Sequence, residues 1–248
     1  MIQTTYALLN VDEIIRIEAN NVIDTHYGAA GRTAFVVANG DVGDDNIIGF
    51  GKTDTLITGR KIFDGNGDGF IGFGKNGLLD IDRVNARKAG NDQLRITDGE
   101  DSIGELRYLG EFGGQHAYAA AGALRLFLEE HGTGVEGTVQ DDVLTTKGGA
   151  LFVDNALGLR IGDDIVTDFD YGSKIVTTHA LADANDDGNV DGLRYQDGGK
   201  TAVFDITSGK GEIIGTITMT DSYASSVSLS DITEIGGVVY YTYTVETP

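Results

Sequence analysis

The clearest pattern in the chain is a two-residue alternation of apolar and polar positions toward its C-terminal end. Thr216, Thr218 and Thr220 fall on one face and Ile217 and Met219 on the other; Ser226, Ser228 and Ser230 then alternate with Val227 and Leu229. After Gly236-Gly237, the residues Val239, Tyr241, Tyr243 and Val245 oppose Tyr240, Thr242 and Thr244. Side chains of a β-strand point to opposite faces in turn, so this period predicts three half-buried antiparallel strands. Upstream, residues 13–18 (EIIRIE) and 33–38 (TAFVVA) are short runs of β-branched and aromatic residues that read as further strands. One stretch points two ways. Residues 117–130 (AYAAAGALRLFLEE) have helix-forming composition with Gly132 placed as a C-cap, yet Leu124, Leu126 and Leu128 alternate with Arg125, Phe127 and Glu129. The alternation favours a strand over 123–129, with a short helix as the rival. The expected class is all-β, with antiparallel strands in a sandwich or roll.

A second pattern lies above the level of single strands. Residues 43–72 align without a gap on residues 162–191, 119 positions later, and nine of the 30 pairs are identical. The shared order is Gly-Asp-Asp, an apolar strand, then Asp-x-Asn-x-Asp-Gly. Aliphatic swaps such as Leu56/Ile175 and Ile71/Val190 keep the apolar positions between them. A gap-free match that keeps every liganding position of the two loops predicts an internal duplication. It divides the chain into two β halves, 1–125 and 126–248, each with one loop between strands. Leu106-Arg107-Tyr108 ahead of Gly113-Gly114 and Leu193-Arg194-Tyr195 ahead of Gly198-Gly199 look like a further echo.

Composition narrows the function. In 248 residues, 18 Lys and Arg stand against 39 Asp and Glu, a formal charge of −21. Phosphate binding needs clustered cations, so nucleic acid is not an expected partner, and neither is an anionic membrane surface. No apolar run approaches the length of a bilayer-spanning helix, so membrane insertion is not expected either. Hydrophobic residues make up 40%, enough for a packed core, but cysteine is absent and neither disulfides nor thiolate metal sites can staple it. So large a negative charge repels itself in a compact state, and bound divalent cations would relieve that repulsion.

The loops supply the matching chemistry. In Asp64-Gly65-Asn66-Gly67-Asp68-Gly69-Phe70-Ile71, oxygen side chains at positions 1, 3 and 5 converge, Gly at position 6 allows the sharp turn, and the carbonyl at position 7 points inward. Asp183, Asn185, Asp187 and Asn189 hold the same places in the second copy, with Ile71 and Val190 at position 8 anchoring each loop to a core. Six to eight oxygens suit calcium better than the stricter magnesium. Position 12 is Lys75 in one copy and Arg194 in the other, where an EF-hand places a bidentate Glu, so the loops read as calcium loops between strands. Remaining acidic ligands are expected from nearby carboxylates, Asp80 for the first loop and Asp191 for the second, with Asp82, Asp197 and Asp205 as further candidates.

With these residues in view, Gly43-Asp44-Asp45-Asn46-Ile47-Ile48-Gly49-Phe50-Gly51 and Gly162-Asp163-Asp164-Ile165-Val166-Thr167-Asp168-Phe169 resemble the strand-and-turn units of RTX-type bacterial proteins. Gly90-Asn91-Asp92-Gln93-Leu94 adds a single step of that kind. The resemblance covers residues 40–100 and 160–205, and the tandem Gly-Gly-x-Gly-x-Asp nonapeptides are absent, as in a divergent relative. It implies export by a type I pathway, unfolded where calcium is scarce and folding outside the cell. Such proteins carry an uncleaved C-terminal signal, for which residues 238–248 are the place. Met1 to Thr5 lacks a basic leader region and Asp12-Glu13 interrupt any apolar run, which fits that route.

Catalytic apparatus is not evident. His26, His116, His131 and His179 are scattered, and no Gly-x-Ser-x-Gly elbow occurs. Gly198-Gly199-Lys200-Thr201 imitates the end of a P-loop, but Arg194 replaces its first Gly and residues 202–206 read as strand. The expectation is an extracellular, calcium-binding structural or surface protein, an S-layer, matrix or filament subunit. Its tyrosine-rich C-terminal strand or its N-terminal strand would join a neighbour edge to edge. Two alternatives stand beside it. One is a carbohydrate-binding or adhesin module; the other is a polysaccharide-active enzyme with a groove built from Tyr108, Arg107 and His116.

Overall fold

The computed structural model describes residues 11–88, 90–169, 172–220, 222 and 224–246. The chain divides into two compact units, Met1–Gly122 and Ala123–Pro248. The first contains β1 (Glu13–Ile17), β2 (Thr25–Tyr27), β3 (Thr33–Val37), β4 (Asn46–Ile48), β5 (Thr55–Thr58) and β6 (Phe70–Gly72). It continues through β7 (Leu79–Asp80), β8 (Gln93–Asp98), β9 (Asp101–Ser102), β10 (Glu105–Phe112) and β11 (Gln115–Ala120). Helix α1 (Gly122–His131) opens the second, followed by β12 (Gly134–Glu136), β13 (Val143–Thr145), β14 (Ala150–Val153), β15 (Gly162–Thr167) and β16 (Lys174–Thr177). Strands β17 (Arg194–Gln196), β18 (Thr201–Thr207), β19 (Ile213–Met219), β20 (Ser226–Ile235) and β21 (Val238–Glu246) complete it. The all-β class is borne out.

The strands of each unit form two sheets, and the chain winds between them. In the first unit β1, β3 and β5 lie side by side in one sheet while β2, β4 and β8 lie side by side in the other. Pairing is parallel throughout these rungs: Glu13 faces Thr33, Ala34 faces Thr55, and Thr25 faces Asn46. The second unit repeats the winding with β12, β14 and β16 against β13, β15 and β19, again parallel. Among the described residues eight strand pairings are parallel and nine antiparallel. The antiparallel expectation therefore holds for only part of the fold. The reason lies in burial. Strands β3, β5 and β14 are buried at every position, so they show apolar runs with no alternation to read.

Each coil is closed by an antiparallel hairpin. The sheet order runs β5-β11-β10-β6 in the first unit and β16-β21-β20 in the second. In the second, residues 188–190 take the place of β6: Val190 N–H donates to Val227 O and Leu229 N–H to Gly188 O, both at 2.8 Å. Gly236 and Gly237 supply the two positive φ angles, 57° and 70°, that a two-residue hairpin turn requires. Two cores result. One gathers Phe35, Leu56, Leu106 and Tyr118 against Ile47, Leu94 and Ile96; the other gathers Leu151, Ile175 and Tyr243 against Val166, Phe204, Ile217 and Met219.

Three local expectations are corrected. Residues 122–131 form helix α1, not a strand. Ala123, Leu124 and Phe127 are buried at helical spacing, and Phe127 stacks on Phe152 with ring centroids 4.9 Å apart, so docking on the sheet decides the conformation. Gly132 does cap it, at φ 76° with its N–H on Leu128 O. Strand β19 does not join β20 and β21 but lies in the other sheet. Strand β21 is no edge: it lies between β16 and β20, with Tyr240 and Tyr243 buried, and β20 is the terminal strand. No helix among the described residues is long and apolar enough to cross a membrane.

Candidate metal centres

The glycine of each Gly-Asp-Asp segment marks where one coil passes closely over the previous one. Gly43 has φ 88°, and a Cβ there would lie 2.5 Å from the Val22 nitrogen; Gly162 has φ 78°, and its Cβ would lie 2.1 Å from Gln140 O. No other residue fits. The second aspartate of each segment then reaches back one rung. Asp45 Oδ1 accepts the Asp24 N–H at 2.6 Å, and Asp164 Oδ1 accepts the Asp142 N–H at 2.9 Å. These buried carboxylates stitch the coils, so part of the acidic content is structural. In the first unit His26 Nε2 also approaches Asp45 Oδ2, at 3.1 Å. The second has no imidazole there, and burial among Asp142, Asp141 and Asp163 pushes the Asp164 carboxyl up to about 7.

After β5 and β16 the chain enters the two Asp-x-Asn-x-Asp-Gly loops, and three of their internal hydrogen bonds repeat position by position, while Oδ1 of the first aspartate accepts Asn66 and Gly67 N–H in the first loop and Asp187 N–H in the second. Asp64 Oδ2 accepts Gly69 N–H and Asp183 Oδ2 accepts Gly188 N–H, both at 2.8 Å. Asn66 Nδ2 donates to Asp68 Oδ2 at 2.8 Å, and Asn185 Nδ2 to Asp187 Oδ2 at 3.0 Å. Asp68 Oδ1 accepts Phe70 N–H at 2.9 Å, and Asp187 Oδ1 accepts Asn189 N–H at 2.8 Å. Gly69 and Gly188 share φ 82°. Ile71 and Val190 are buried in their respective cores, as an anchor at position 8 requires.

The oxygen side chains of the loops are of the type that hard cations take. Although burial works against its charge, the Asp64 carboxyl is held below its ordinary value by the N–H groups of Gly69, Gly67 and Asn66 and by Lys61. Asp187 is held low by the Asn189 N–H first and then by side-chain contacts. Both carboxylates are thus ionised at neutral pH without a cation to make them so. Among the described residues no three His, Asp or Glu side chains form a ready metal cluster. Each loop instead carries two carboxylates and one carboxamide at positions 1, 3 and 5.

The further candidate ligands are placed differently. Asp191 Oδ2 accepts the Ala184 N–H, which brings this carboxylate to the second loop; Gly72 stands at the matching position of the first. Asp80 bonds through Oδ2 to Gly90 N–H at 2.7 Å, beside Asp82, and its buried Oδ1 has no hydrogen-bond partner among the described residues. Asp205 is taken up by Arg194, with N–O distances of 2.7 and 3.1 Å. The Leu-Arg-Tyr echo has no structural counterpart, since Tyr108 lies on β10 and Tyr195 on β17, which occupy different places in their sheets. Arg107 is buried and donates to Ala120 O, so it lines no groove, while the Tyr108 hydroxyl and His116 Nδ1 lie 3.0 Å apart. Residues 201–207 form β18, which removes the P-loop imitation.

Sequence reasoning missed the residues that hold the loops in place. Tyr118 on β11 accepts the Ile62 N–H at 2.7 Å, and Tyr243 on β21 accepts the Leu181 N–H at 2.8 Å. The two tyrosines are 125 residues apart, so they fall outside the gap-free match at 119. Compared with known proteins, the chain matches no family model, no curated protein and no solved structure.

Proposed function

We propose that the chain is an extracellular calcium-binding structural or surface protein, a divergent relative of RTX-type proteins that folds on calcium after export. One observation carries this reading. Two loops 119 residues apart set the same oxygen side chains at positions 1, 3 and 5 and share three internal hydrogen bonds, inside a chain of net charge −21. A cation bound only by the folded state raises stability by mass action, about 2.7 kcal/mol per site at a hundredfold excess over Kd. Asp64, Asn66, Asp68 and the Phe70 carbonyl would hold one ion. Asp183, Asn185, Asp187, the Asn189 carbonyl and Asp191 would hold the other. Assembly belongs to the same reading: β1 and β2 are terminal strands of their sheets, as is β20 beyond its contact with residues 188–190.

The test is calorimetric titration of the chelator-stripped chain with calcium, alongside thermal melting. Two bound ions and a clear rise in Tm are expected, with Asp64→Asn and Asp183→Asn each removing one ion. Unchanged melting after exhaustive chelation, with no alkaline-earth metal in the purified protein, would overturn the proposal.

A second reading, a carbohydrate-binding module, is favoured by a pocket of about 280 Å³ in the first unit, lined in part by Asn39, Asp41, Arg60, Asp82, Asn91 and Asp92. Such side chains fix hydroxyl groups. Glycan-array binding by the calcium-loaded chain would favour it, and a blank array would remove it.

A further inference from the structure

Each loop is gripped at both ends by the two strands of one hairpin. At its far end the carbonyl of Gly69 accepts the Tyr108 N–H from β10, and that of Gly188 accepts the Leu229 N–H from β20, both at 2.8 Å. At its near end the acceptor is a side chain from the partner strand of the same hairpin. The Tyr118 and Tyr243 hydroxyls take the N–H groups of Ile62 and Leu181, each two residues before the first aspartate of its loop. The register is the same in both units. Tyr118 faces Leu56 on β5 and Tyr243 faces Ile175 on β16, positions that the 119-residue repeat also equates.

These bonds are in dry surroundings. Tyr118 and Tyr243 are 0% and 3% exposed, and Ile62 and Leu181 are buried beside them. A buried N–H needs an acceptor, and here a phenol supplies it where no strand runs. Thr58 Oγ1 and Thr177 Oγ1 fix the same bend from the other side, donating to Arg60 O at 2.6 Å and His179 O at 2.8 Å. Burial pushes the Tyr118 phenol up to about 12 and raises Tyr243 in the same sense, so both hydroxyls stay protonated across ordinary pH.

We propose that Tyr118 and Tyr243 are positioning residues for the two cation loops, setting from the closing hairpin where each first carboxylate stands. The inference rests on the calcium reading. It makes hairpin docking and cation affinity two faces of one equilibrium: a loop whose start is released must be ordered at the ion's expense.

Tyr118→Phe and Tyr243→Phe keep the ring and remove the acceptor. The test titrates calcium into the full chain, with Asp183→Asn silencing the second loop when the first is read and Asp64→Asn silencing the first when the second is read. Tyr118→Phe is expected to weaken the first loop about tenfold and leave the second unchanged; Tyr243→Phe is expected to do the reverse. A general loss of structure would weaken both together, so equal losses at the two loops would overturn the proposal. Should a Phe variant fail to fold, Thr58→Val and Thr177→Val loosen the same bend more gently and are expected to show the same one-loop selectivity. A wild-type chain that binds no calcium brings down the calcium reading itself. One that binds two ions, with all four substitutions silent, brings down only the positioning role.

Discussion

Replacing Asp164 by Asn should stabilise the protein above neutral pH and destabilise it slightly, by about 1–2 kcal/mol, in acid. Asp164 is only 3% exposed, and its Oδ1 accepts the Asp142 N–H. Burial first, and then the charges of Asp142, Asp141 and Asp163, raise its carboxyl from 3.8 to about 7 despite that hydrogen bond. The folded chain therefore keeps a proton that the unfolded chain has lost. Below pH 3.8 both states are protonated and the stability is fully present. As pH rises toward 7 the unfolded state ionises at no cost while the folded state does not, so stability falls, and above 7 the loss is complete. A difference of three units corresponds to roughly 4 kcal/mol. Asn keeps the Oδ1 acceptor and never ionises, but its Nδ2 needs a new partner, so a net gain of about 2–3 kcal/mol at pH 8 is expected. In a chain of this size that is roughly 5–10 °C in Tm. Melting curves of both proteins from pH 4.5 to 8.5, at fixed calcium, give the result as a difference in which other titrating groups cancel. A variant that melts at or below wild type at pH 8, or whose profile runs parallel to it, would refute the reasoning.

Two further outcomes follow from the contrast between the units. His26→Leu, which puts in the first unit the residue that Leu144 supplies in the second, leaves the Asp45 carboxylate buried with its Asp24 N–H alone. Urea unfolding should show a loss of about 3 kcal/mol, and a loss below about 0.5 would mean that the imidazole contributes nothing. The second cation loop, residues 183–191, carries four aspartates where residues 64–72 carry two. Ligand charge raises calcium affinity, so the second loop should fill first, and Asp183→Asn should abolish the tighter step of the titration. Retention of that step would reverse the order.

The parts of the fold that sequence made legible are those in which one face is wet. Strand β20 buries Val227 between two half-buried serines, as its alternation predicts, although Leu229, where the register shifts, is exposed; the hairpin turn is signalled by Gly236-Gly237. The parallel rungs are buried on both faces. Runs such as TAFVV and ALFV announce a strand without naming its neighbour or its direction. Helix α1 was obscured because leucine and arginine alternate along 124–126 by coincidence, while the contact that settles its conformation, Phe127 on Phe152, spans 25 residues. The loops were legible because their donors are close in sequence. Their tyrosine anchors were not, since Ile62 and Tyr118 are 56 residues apart.

That separation also bears on how the two units came to match. Chance could place two Asp-x-Asn-x-Asp-Gly segments in one acidic, glycine-rich chain, and sequence identity over 30 residues weighs only modestly against it. Beyond those segments, the two units agree in contacts that no local motif encodes. These include a carboxylate capping the previous rung from the same position, a phenol on a closing strand at the same register, and a loop carbonyl bonded to the neighbouring strand of the same hairpin. Each joins residues from separate strands, so each must be rebuilt when the intervening chain changes length. The tyrosines show this: they lie 125 residues apart where the loops lie 119 apart, yet they take the same register opposite Leu56 and Ile175. Four of the six extra residues lie between Leu229 and Tyr243, within the hairpin β20–β21, so the arms of the two hairpins differ in length while the contacts around each loop do not.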